Sequence, residues 1–131
     1  MEALKGVVGA SYGGSYFSPG TDGDGHFTLL LADYAGSDDE VLRAWPVADW
    51  ARERVSIERV QHSFGDLNSI FDVVHAALYA NNIPAEQALD EPQNCIDVHV
   101  LKGHLDEAKQ ALPADVRNYI CWSEGELGGL L

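Results

Sequence analysis

Apolar and polar positions divide the chain into short extended stretches and one long helix. An apolar run from Leu4 to Phe17, interrupted by Gly9, Gly13 and Gly14, is followed by Pro19 to Gly25 and then by His26 to Tyr34. This order predicts a hairpin with residues 19–25 as its connection. The stretch from His26 to Ala32 is too continuously apolar for a strand with one wet face, so it is expected at the centre of a sheet. Residues 35–40, AGSDDE, read as a turn or a helix start. Beyond Val41, Pro46 restricts its neighbour, Val47, Trp50 and Ala51 fit a short helical turn, and Val55 and Ile57 alternate. An irregular or short helical stretch and then a strand from about Arg54 to Val60 is the reading.

Leu67, Ile70, Phe71, Val74, Ala77 and Leu78 fall on one stripe at helical spacing, predicting a helix from Leu67 to about Ala80 with Asp66 as its cap. Pro84 suits the first turn of a second, shorter helix, Ala85 to Asp90, ending before Pro92. Ile96, Val98 and Val100 alternate with Cys95, Asp97 and His99, the pattern of a half-buried strand. Leu105 to Leu112 forms a helix stopped by Pro113, and Val116 to Trp122 a last strand. No repeat or low-complexity segment is visible. The sum is an α+β fold: a single domain over residues 1–131, with an antiparallel or mixed sheet of about four to five strands and two to three helices packed mainly on one face.

Length and composition agree with a folded body: 131 residues, 46% hydrophobic and 22% charged, suffice for a core without metal or disulfide. No stretch approaches the roughly 18 apolar residues of a membrane helix. The start, MEALKGVVGASYGG, has no secretory apolar region, so a cytoplasmic location is expected. Cys95 and Cys121 could pair in principle, but in that compartment they are expected as free thiols.

Charge changes the picture more. Against 8 Lys and Arg stand 21 Asp and Glu, a formal net charge of -13. Direct nucleic-acid binding needs clustered cations and is disfavoured. The acids form two blocks without a basic residue: Asp22, Asp24, Asp33, Asp38, Asp39 and Glu40, then Asp66, Asp72, Glu86, Asp90, Glu91 and Asp97. Such blocks cost self-repulsion, and are kept for solubility, salt tolerance or binding.

Candidate catalytic and metal motifs are weak. Gly9-Ala10-Ser11-Tyr12-Gly13 fits the GxSxG elbow of hydrolases, but the residues after it cannot form the required helix, so glycines relieving a bent or bulged strand are the better reading. Asp22-Gly23-Asp24-Gly25, with Asp33 at the twelfth place, resembles a calcium loop whose middle is broken by His26 and Phe27. Cys95, His99, His104 and Cys121 suggest zinc. Yet on one strand Cys95 and His99 stand roughly 13 Å apart, too far to share an ion. No cofactor and no metal is indicated, and nucleotide-binding loops are missing.

Small acidic α+β proteins without catalytic apparatus resemble, in type and not in motif, the immunity proteins that bacteria keep beside secreted or contact-dependent toxins. That resemblance implies a non-enzymatic toxin inhibitor, whose carboxylates occupy the phosphate site of a basic, nuclease-like partner. The expected partner-binding residues are Asp22, Asp24, Asp38, Asp39 and Glu40 in the first block, Glu86, Asp90 and Glu91 in the second, and Trp45 and Trp50 as aromatic anchors. The first block is favoured because loops project from a sheet. A phage-encoded inhibitor or nucleic-acid mimic, or a small hydrolase using Ser11, are the alternatives.

Overall fold

The computed structural model describes residues 8–19, 25–45 and 53–128. The fold is α+β, in two compact units, residues 1–65 and 66–131. Among the described residues it holds six strands in two three-stranded mixed sheets, where the sequence predicts one sheet of four to five strands.

In the first unit, β1 (Tyr12–Ser18) and β2 (His26–Ala32) form the predicted antiparallel hairpin. The chain then makes helix α1 (Asp38–Ala44) and returns as β3 (Val55–Val60), parallel to β2. The order β1-β2-β3 puts β2 at the centre, as its unbroken apolar run requires, with Leu29, Leu30 and Leu31 all fully buried. Each such side chain contributes roughly 1.5–3 kcal/mol by leaving water. Leu29 and Leu31 pack with Val8, Tyr12 and Val41, and the Tyr12 and Phe64 rings meet edge to face at 5.7 Å. The glycines of β1 act as the sequence suggests. Register shifts between Tyr12 and Gly14, and a Cβ on the intervening Gly13 would stand 2.8 Å from the Val60 side chain.

Helix α1 begins where AGSDDE predicts. Ser37 caps it, accepting from the Glu40 N–H at 3.2 Å, and Asp38, Asp39 and Glu40 occupy the first turn, where the helix dipole favours negative charge. The Arg59 guanidinium reaches this turn from β3, donating to the Gly36 carbonyl at 3.1 Å and pairing with Asp38 at 2.8 Å.

The second unit repeats the order hairpin, helix, parallel strand. Helix α2 (Phe64–Ala80) precedes β4 (Ala85–Asp90), β5 (Cys95–Leu101), α3 (Leu105–Ala111) and β6 (Ile120–Gly125). β4 pairs antiparallel and β6 parallel with the central β5. Leu67, Val74 and Leu78 of α2 and Ala108 of α3 share one core with Ile96, Val98 and Val100, so both helices cover the same side of this sheet.

Three boundaries differ from expectation. Helix α2 starts at Phe64, so Asp66 lies in its first turn and is not its cap. Residues 85–90 form strand β4 and not a short helix: Pro84 restricts φ equally well for a strand entry, and six register pairs with β5 outweigh a local preference. The last strand begins at Ile120, because Ala114–Tyr119 winds into a 3-10 helix first. The shared topology of the two units is a repeat that the sequence does not display.

Candidate functional site: an acidic sheet face

In the second unit, period-two alternation sends Ile96, Val98 and Val100 to the helices and Cys95, Asp97 and His99 to the other side. Register adds neighbours to that open side. Glu86 stands opposite His99, Ala88 opposite Asp97 and Asp90 opposite Cys95; across the parallel ladder, Asp97 faces Cys121 and His99 faces Ser123. The face therefore holds three carboxylates, and no Lys or Arg lies within β4, β5 or β6. Glu86, Gln87, Ala88, Asp97 and His99 line a shallow open depression of about 220 Å³.

Burial pushes the Asp97 carboxyl above the usual carboxylate range, and its hydrogen bond with Asp90 and the charge there push the same way. Asp90 also accepts from the Gln93 backbone N–H at 3.0 Å and from its side-chain amide at 2.8 Å, which closes the turn between β4 and β5. His99 is committed on both ring nitrogens: Nδ1 is 2.7 Å from the Ser123 hydroxyl and Nε2 2.7 Å from the Glu126 carbonyl.

The structure joins Cys95 to Cys121 in a disulfide, with Cα atoms 6.0 Å apart. This corrects the expectation of two free thiols. Their 26-residue separation hides a juxtaposition that exists because β6 lies directly beside β5. His99, one of the four residues that suggest zinc and that spacing argues against, is held by Ser123 and Glu126. The sulfurs instead stand beside Asp97, whose Oδ1 lies 3.8 Å from the Cys95 sulfur.

The other expected site residues fall in different places. Asp38, Asp39 and Glu40 are exposed on α1, with Asp38 held by Arg59. Glu86 and Asp90 lie on the open sheet face, and Glu91 in the turn after it. Trp45 is partly buried and packs against the first core, its ring 5.4 Å from that of Phe27. Asp22, Asp24 and Trp50 lie outside the described residues. The sequence shows Asp97 only as a member of the second acid block; its place opposite Cys121 depends on strand pairing that one sequence does not reveal.

Ser11 ends a 3-10 turn, Gly9–Ser11, and leads into β1, donating to the Asp33 carbonyl at 3.4 Å. A nucleophile elbow needs a strand before the serine and a helix after it, and here a strand follows. Asp33 lies just past the far end of β2 from Gly25, roughly 26 Å away along the extended chain. No helix among the described residues is long and apolar enough to cross a membrane. No family profile matches the chain, and no curated protein matches it significantly.

Proposed function

We propose that this protein acts by binding a basic protein partner, as a bacterial immunity protein that neutralises a nuclease-like toxin by occluding its active site. The observation that carries this reading is the open face of the second sheet, where Glu86, Asp90 and Asp97 stand together with no cation on their three strands. Asp97, opposite Ala88, stands diagonal to both Glu86 and Asp90 at roughly 7–8 Å between backbones, and Glu86 and Asp90 are roughly 13 Å apart along β4, an array on fixed strands that can stand in for phosphates. With 8 cationic side chains for 21 acids, most of this charge has no neutraliser within the chain. A cationic surface would relieve the repulsion and be steered by it.

The face is favoured over the α1 turn, because Arg59 already answers Asp38 and the dipole of α1 already uses its first-turn acids. Such an inhibitor works in the cytoplasm, beside the nucleic acid it protects. The test is genetic and then kinetic. Reading frames adjoining this gene are expressed alone and with it; one should be toxic alone and harmless in its presence. Replacing Glu86, Asp90 and Asp97 by Lys should abolish protection, and association of the purified pair should slow steeply with salt. Full protection by the triple variant overturns the reading.

A further inference from the structure

We propose that Cys95, Cys121 and Asp97 form, when the disulfide is reduced, a binding site for a thiophilic divalent cation of the zinc type. Three observations carry it. The sulfurs of Cys95 and Cys121 and a carboxylate oxygen of Asp97 all lie within 4.8 Å of one another. They are mounted on two strands locked by a continuous ladder, with Asp97 directly opposite Cys121 and Cys95 two residues away on the same face. The neighbourhood is anionic, with Asp90 hydrogen-bonded to Asp97 and no Lys or Arg on the sheet.

The chemistry follows from the donors. Two thiolates and a carboxylate suit zinc and its borderline-soft neighbours, and suit calcium or magnesium badly. Bonds near 2.3 Å at a tetrahedral angle put the two sulfurs about 3.8 Å apart, which small side-chain rotations supply from a pair whose Cα atoms are 6.0 Å apart. Water completes the shell, and Asp90 acts as a positioning residue by orienting the Asp97 carboxylate. A dithiol reductant delivers two electrons and two protons, breaks the Cys95–Cys121 bond and leaves as a disulfide itself. The cation then displaces both thiol protons to solvent and forms two metal–sulfur bonds. Either way β5 and β6 stay cross-linked: by the disulfide where conditions are oxidising, by the metal where they are reducing.

The experiment titrates the reduced full-length protein with Co2+, whose thiolate complexes give a charge-transfer absorption, and follows far-ultraviolet circular dichroism in parallel. The expected result is one equivalent bound with that absorption in the reduced protein and none in the oxidised protein. Cys95→Ser and Cys121→Ser should each abolish the absorption. Asp97→Asn should keep it while weakening affinity roughly tenfold or more. If the reduced chain loses structure without metal, Co2+ should restore the dichroism of the oxidised form. No charge-transfer absorption in the reduced protein, or an Asp97→Asn variant that binds as well as the parent, overturns the site. Neither readout involves a protein partner, so failure here is distinct from failure of the inhibitory role.

Discussion

Asp97 on β5 and Asp90 on β4 share a hydrogen bond between their carboxyl groups, placed diagonally across the antiparallel ladder. Burial of the Asp97 carboxyl first, then this hydrogen bond and the Asp90 charge, raise the affinity of Asp97 for a proton on folding. An acid whose pKa is higher folded than unfolded favours the fold below its unfolded value, and that contribution is lost as pH rises through the folded value.

In the oxidised protein, Asp97→Asn should therefore raise the melting temperature at neutral pH, while the difference from the parent shrinks or reverses in acid. Thermal melts across pH check this. A variant less stable than the parent at neutral pH would show that Asp97 contributes there as an anion.

The disulfide closes the α3 crossover between β5 and β6, with a sequence separation of 26 residues. Loop-closure entropy assigns such a link about 3.5 kcal/mol. Denaturant unfolding in the presence of a chelator, with and without reductant, should show a loss of that order, and reduced Cys121→Ser should unfold at the midpoint of the reduced parent.

Leu29 has no exposed surface and lies between Val8, Tyr12 and Val41 in the first core. Leu29→Ala should cost about 2–5 kcal/mol, through lost transfer energy and the cavity left behind. Exposed Tyr79→Ala, tested in parallel by denaturant unfolding, should cost far less.

Helix α1 is only seven residues long and rests on its Ser37 cap. Ser37→Ala should destabilise by about 1 kcal/mol, and Ser37→Asp should retain the cap. Hydrogen exchange at the Glu40 amide reads the effect directly, since that N–H donates to the serine oxygen.

Asn82 follows α2 with φ 55, a left-handed position that asparagine and glycine tolerate and branched residues do not. Asn82→Gly should be close to neutral and Asn82→Val should lose roughly 1–2 kcal/mol, as measured by chemical denaturation.

By itself the sequence determined whatever depends on neighbours along the chain: the glycine-interrupted hairpin, the central burial of β2, the amphipathic stripe of α2, the alternation of β5 and the excess of acid. Period and turn chemistry act over a few residues, so they can be read from one chain. Only the tertiary structure decided what depends on pairing. It made residues 85–90 a strand because β5 offered a ladder, where the local signal of Pro84 pointed to a helix. It brought Cys121 beside Cys95 and Asp97 across 26 positions of chain, packed Trp45 against Phe27, and built the same hairpin-helix-strand order twice from stretches with no visible likeness. Register and strand order are set by contacts between distant segments, whose energies leave no mark on the local pattern.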